Sequence, residues 1–135
     1  MNAHSFAGAY QQVGAQTAVS NASAHQLVSL LFEAFFTALL RAEGAIRNKD
    51  VPTKNTALSH AVRIVDEGLK AALNLNAGGQ LAADLADLYA YICLRLTQAN
   101  LRGDLQALDE CRRLMQPLRE AWTSIAEHKE VLNRI

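Results

Sequence analysis

The residues of this chain best equipped for chemistry are few. They are the histidines His4, His25, His60 and His128, the cysteines Cys93 and Cys111, and the carboxylates Glu33, Glu43, Asp84 and Asp87. In a helical protein such groups could hold a di-metal centre, whose signature is Glu-x-x-His on facing helices with further inward carboxylates. No Glu-x-x-His occurs and no two histidines stand four apart, so these carboxylates read as solvated flank charges and no metal is expected. The cysteines form neither a CxxC redox pair nor a zinc site and read as small buried apolar residues kept reduced. There is no GxSxG and no phosphate-cradling glycine loop; Gly78-Gly79 reads as a turn between helices. Nothing here argues for catalysis or for a cofactor.

The elements that carry these residues are helical. The chain has 135 residues, half of them hydrophobic and 6% aromatic, with two prolines and seven glycines. Rich in Ala and Leu, it reads as one all-helical domain. A formal net charge of +0 argues against an electrostatically driven nucleic-acid binder. No apolar run reaches the roughly 18 residues of a membrane span, and no signal-peptide pattern opens the chain, so a cytoplasmic location is expected.

Residues 1–22 lack acids, Lys and Arg, and have only Phe6 and Tyr10 as large anchors. They read as a flexible N-terminal arm, with a short helical turn near Phe6 to Val13. Residues 23–130 read as the folded domain. Ser23 and Gln26 have capping-box spacing and open a first helix to about Asn48. Its inward stripe is Leu27, Leu31, Phe35, Ala38, Ala42 and Ala45, broadened by Leu30, Phe32, Phe36 and Leu39. Asp50 caps a second helix, with Pro52 in its first turn, that ends near Leu73 or Asn74. A third runs from Gly78-Gly79 to Gly103, and Asp104 caps a fourth to about His128, with a kink expected at Pro117. Short turns between long helices predict an all-α fold, an antiparallel up-down four-helix bundle with an N-terminal arm or short cap helix.

Two helices carry more apolar surface than such a bundle needs. The second faces the core with Leu58, Val62, Val65, Leu69 and Leu73, and beside them Ala57, Ala61, Ile64, Gly68 and Ala71 form another stripe. The combined arc is roughly 200° wide, where a core-facing stripe takes little more than 100°. On the third helix Leu81, Leu85, Leu88, Ile92, Leu96 and Ala99 face inward, while Ala83, Ala86, Ala90, Cys93 and Thr97 line the opposite face. These second stripes read as shallow troughs for a partner's helix. Gly68, which costs about 1 kcal/mol relative to Ala in a helix interior, suits either a close-packed partner or close packing inside the bundle.

Several separated motifs then resemble one family, the FliS flagellin-specific export chaperones. They are Ser23-Ala24-His25-Gln26-Leu27 leading into Leu31-Phe32, Ile64-Val65-Asp66-Glu67-Gly68-Leu69-Lys70, and the block from Gly78-Gly79 to Asp104. Within that block Leu88-Tyr89-Ala90-Tyr91 is similar to the family's Leu-Tyr-Asp-Tyr, and Gln98-Ala99-Asn100-Leu101-Arg102 to its Ala-Asn helix end. Ala24 stands where the family commonly has proline, Ala90 where it has Asp, and Pro117 is not a family feature.

The resemblance implies a chaperone that binds the disordered C-terminal segment of flagellin in the cytoplasm. It would prevent premature polymerisation and assist delivery to the flagellar type III export gate. A flagellar regulatory protein is a further implied partner; nucleic acid and membrane insertion are not. Tyr10 matches a tyrosine of the family's N-terminal arm associated with client binding. Client contacts are thus expected at Tyr10, Ala57, Ala61, Ile64, Gly68, Ala71, Ala83, Ala86, Ala90 and Cys93, with Tyr89 and Tyr91 structural. The residues alone also admit a self-associating helical module, or a chaperone for another secretion substrate.

Overall fold

The computed structural model describes residues 21–76 and 78–133, with side chains over 24–73 and 78–125. Helix α1 spans Asn21–Arg47, α2 Val51–Arg63, α3 Lys70–Asn76, α4 Gly79–Arg102 and α5 Leu105–Asn133. A π-helical stretch, Ile64–Leu69, joins α2 to α3, so the three form one continuous rod and the described residues make four rods. The expected all-helical bundle is what forms. The arm expected at 1–22 lies, but for Asn21 and Ala22, outside the described residues, and with it Tyr10 and Phe6.

The rods run antiparallel around a ring. Gly68 packs on Leu31, Lys54 Nζ donates to the Asn100 carbonyl at 2.6 Å, Cys111 Sγ lies 3.8 Å from the Ile92 carbonyl, and Trp122 Nε1 donates to the His25 carbonyl at 3.1 Å. In each pair of neighbours one rod climbs as the other descends, and α5 closes the ring against α1. The core between them is wholly apolar among the described residues, with Phe35, Leu39, Val65, Ile92, Leu96, Cys111 and Met115 all below 2% exposure. At about 25 cal/mol per Å² of apolar surface removed from water, this burial is the main force holding the rods together.

The ends of the elements follow from short-range chemistry. Asp50 caps α2 as expected: its Oδ1 accepts the Thr53 N–H at 3.2 Å, and Pro52 occupies the first turn, where a missing N–H is harmless. Asp104 Oδ1 likewise accepts the Gln106 and Ala107 N–H groups at 2.9 and 3.3 Å. Gly103 closes α4 in the left-handed conformation at φ 63°, and Asp104 N–H reaches back to the Ala99 carbonyl. The same turn ends α1, but there Lys49 takes the left-handed conformation at φ 57°, with Asp50 N–H on the Ala45 carbonyl at 2.8 Å.

Three expectations need correction. Ser23 is not the cap of α1, because nothing in Asn21-Ala22 stops the helix from starting earlier. The second rod is not a plain α-helix: Lys70 N–H bonds the Val65 carbonyl five residues back, closing the π turn. And α5, one helix through Pro117 as expected, ends not near His128 but at Asn133. Pro117 is exposed, as is Arg113 four residues before it, so the carbonyl left without its helical partner faces water.

Two substitutions test these turns in opposite directions. Gly103→Ala should lower unfolding stability by about 1 kcal/mol, because a Cβ is strained at that φ even though it would meet only Ile46 at 3.8 Å. Lys49→Gly should raise it by about 0.5 kcal/mol by relieving the same strain, less the extra freedom of the unfolded glycine. Urea midpoints at constant m-value would check both.

Candidate functional site

The second stripe of the second rod is not a surface trough. Ala57, Ala61 and Ile64 are at 1%, 0% and 1% exposure, and Gly68 is also buried. A Cβ on Gly68 would stand 3.0 and 3.1 Å from the two terminal methyls of Leu31, so the glycine lets α1 approach. The sequence shows two apolar stripes here because the rod has two neighbours: one face meets α1 and the other meets α4. The π turn keeps both supplied, burying the adjacent pairs Ile64-Val65 and Gly68-Leu69. Of the five residues expected to contact a client on this rod, only Ala71 is exposed.

The outer face of α4 is different. Ala83 and Ala90 are exposed, and Ala86 and Cys93 are half-buried along the edge facing the second rod, where Cys93 Sγ lies 3.9 Å from the Val62 carbonyl. Beyond the two exposed alanines, one and three turns past Ala90, stand Leu94 and Leu101, 54% and 80% exposed. Leu94 and Leu101 were not among the expected contacts. The signal was present: at about 100° per residue they fall within about 20° of the Ala83 spoke. Asp87 is the one charge on this strip.

At one end of the bundle the core is open. An apolar cavity of about 300 Å³ lies among Val28, Phe32, Leu69, Leu85, Tyr89 and Trp122, with Leu81 and Ile125 at its rim. Leu81 belongs to the inward stripe of α4, yet it is 67% exposed, and Ile125 on α5 is 48% exposed. Trp122 is fixed as a wall by its hydrogen bond to the His25 carbonyl and by stacking on the His25 ring, centroids 4.1 Å apart. Burial pushes the Tyr89 phenol up to about 12, so it stays neutral. Tyr91 is 40% exposed and donates to Glu110 at 3.0 Å, while Arg95 Nε donates to the same carboxylate at 2.6 Å. Both tyrosines therefore hold helices together, Tyr89 in the core and Tyr91 at its edge.

None of this is reactive chemistry. Burial raises the Cys93 thiol to about 11 and the Cys111 thiol to about 12, so both are protonated at neutral pH. Among the described residues no group of His, Cys, Asp and Glu is placed to hold a metal ion, and no helix is long and apolar enough to cross a membrane.

Comparison with known proteins follows the same lines. The family profile "Flagellar protein FliS" matches residues 6–129. The chain is 46% identical over 118 residues to the flagellar secretion chaperone FliS of Salmonella typhimurium, covering 87% of each chain. It is 39% identical over 114 residues to the Escherichia coli protein of that name, covering 84% of each. With the Bacillus subtilis protein the identity is 33% over 114 residues, 84% of this chain and 80% of that one.

Two measurements check this geometry. With its pKa raised from 9.0 to about 11, Cys93 should react with a thiol reagent at pH 8 on the order of 100-fold more slowly than in the unfolded chain. Hydrogen bonds from Arg95 and Tyr91 lower the Glu110 pKa from 4.5, so its contribution to stability is present above that value and lost as pH falls below it. Glu110→Gln should therefore flatten the fall of stability on acidification, read from denaturant midpoints across that range.

Proposed function

The chain belongs to the FliS family of flagellar proteins, and on that premise we propose that it is a flagellar secretion chaperone, not an enzyme, whose client is the disordered C-terminal segment of flagellin. In this reading it holds that segment in the cytoplasm, prevents premature polymerisation and assists delivery to the type III export gate.

The supporting observation is the apolar surface that the bundle leaves uncovered. The α4 strip of Ala83, Ala90, Leu94 and Leu101 suits an amphipathic client helix laid along it, with Ala86 and Cys93 at its edge. Small residues make such a strip flat, and they carry little side-chain selectivity, which fits a client recognised by its apolar periodicity. Coupled folding of a client segment buries on the order of 1,000–3,000 Å². At about 25 cal/mol per Å² that far exceeds the few kcal/mol spent on ordering, and docking costs consume most of the remainder. The complex is then firm yet releasable. Tyr10, on the segment that precedes α1, is in this reading a further client contact.

Four residues first expected in the client site now belong to the core. Gly68→Arg would drive a guanidinium against Leu31 and report on folding, not on binding. The informative variants are on α4. A peptide of about forty residues from the flagellin C-terminus should bind saturably at 1:1 and gain helix by circular dichroism. Ala90→Arg should weaken it about tenfold or more, by placing a charge in a desolvated apolar contact, whereas Glu120→Arg on the exposed side of α5 should leave it unchanged. Failure of the folded protein to bind would refute the client; binding unaffected by Ala90→Arg would refute the strip.

A further inference from the structure

The exposed strip of α4 has an internal symmetry that a platform for a client does not require. Its four apolar residues are spaced evenly about Ile92: Ala90 and Leu94 lie two residues to either side, Ala83 and Leu101 nine to either side. Small and large exchange places across that midpoint. A second α4 laid antiparallel on the first, about a two-fold axis at the level of Ile92, therefore sets each alanine against a leucine of the other copy. Ala90 meets Leu94 and Ala83 meets Leu101, each pair occurring twice. Facing positions that alternate small and large let two helices interdigitate closely. From 83 to 101 the helix makes about five full turns, so the four side chains keep one bearing and neither helix has to coil to hold the contact.

The polar flanks match in the same register. When a two-fold axis relates two antiparallel helices, each side of one meets the same side of the other. Asp84 and Arg102 both stand about 100° round from the strip, on the side where Tyr91 and Arg95 reach Glu110 of α5. Asp84 lies eight residues before Ile92 and Arg102 ten after it. The Asp84 of one copy and the Arg102 of the other thus come within about 3 Å of the same level. Both are exposed, and among the described residues neither sits in an ion pair; Asp84 accepts from the neutral Gln80 amide at 2.8 Å. Asp87, the charge on the strip, falls beside Gln98 of the second copy. Gln98 Oε1 is taken by Arg95 at 2.7 Å, which leaves its amide N–H groups to donate, and a carboxylate losing water needs such a donor.

We propose that the outer face of α4 docks a second copy of this chain, as an antiparallel α4–α4 pair in which the Asp84 of each copy meets the Arg102 of the other. The outer face looks away from the core, and the rods beside it, the second rod and α5, fall back on either side. A contact about 27 Å long and about 10 Å wide has a footprint of roughly 300 Å² per copy, below the roughly 800 Å² per partner of a standard interface. The dimer is therefore a weak one that forms and parts with concentration, and the strip holds either a second copy or a client helix, one at a time. The pairing follows from the residues of α4 and does not rest on the identity of the client.

Sedimentation equilibrium of the full chain alone, from about 10 μM to about 1 mM, should fit a monomer–dimer equilibrium. Leu94→Ser, at an exposed position outside the core, should weaken association about tenfold or more, because each dimer loses two buried leucines. Asp84→Arg should weaken it about tenfold, by setting two like-charged pairs face to face. Asp84→Arg combined with Arg102→Asp should restore it, a rescue that only the antiparallel register gives; circular dichroism checks that each variant is folded. A monomer throughout the range would overturn the proposal and leave the strip to a foreign helix alone. Undiminished association of Leu94→Ser would overturn it too, since the copies would then meet elsewhere. So would a double variant as weak as Asp84→Arg. Each measurement uses the chain by itself, so its outcome is separate from whether the flagellin peptide binds.

Discussion

The placement of the second rod between α1 and α4 is the constraint on which the rest of the molecule depends. A helix with one neighbour buries one stripe; this one must bury two at once, and it does so by presenting adjacent buried pairs turn after turn. Ala57 and Ala61 keep α1 close, and Gly68 allows the closest approach, with Leu31 filling the space a side chain would need. The π turn at Ile64–Leu69 inserts one extra residue into the ladder, so that both faces stay aligned over the whole rod. Because protein interiors are close-packed, a larger side chain on this seam would displace α1 and with it the whole ring.

That geometry determines what is left for other molecules. With most of the second rod's apolar surface consumed inside, uncovered apolar area is left on the outside of α4 and at the open end of the core, besides Leu30 and Leu40 on α1 and Val51 at the start of α2. Charge is sparse on the α4 strip, where Asp87 stands alone. Charges gather instead along α5 and its neighbours, where Glu43 accepts from Arg47 and Arg112 and Glu110 accepts from Arg95 and Tyr91. Exposed ion pairs of this kind add little stability, but they fix how α5 sits on α1 and α4 and keep that flank polar. Such separation matters for a secretion chaperone, since an apolar surface on all sides would associate with itself.

Much of the fold was legible in the amino-acid sequence. The Asp50 and Asp104 caps, the Gly103 stop and most of the inward stripes of α1 and α4 are local or periodic signals and stand where the spacing puts them; Leu30 and Leu81, read as inward, are instead 63% and 67% exposed. Of the two stripes read as troughs, one is at the surface and one, Ala71 apart, is buried. Ala83, Ala86, Ala90 and Cys93 share the outer side of α4 as the helical period requires, and Leu94 and Leu101 follow from the same period once their spokes are drawn. The buried set, Ala57, Ala61, Ile64 and Gly68, was misplaced because a stripe of small residues looks the same whether it faces a partner chain or a neighbouring helix of its own.

The sequence by itself determined the four helical segments of the described residues, the caps at Asp50 and Asp104, the stop at Gly103, and the family. Those properties rest on residue type, short-range hydrogen bonding and period, which do not depend on distant contacts. Only the tertiary structure decided which of the two wide apolar arcs is spent inside the bundle and which remains outside. It also decided that the second rod takes a π turn and that the core stays open beside Leu81 and Ile125. Each of these is a statement about which surfaces meet, and two faces with the same composition are distinguished only by what packs against them.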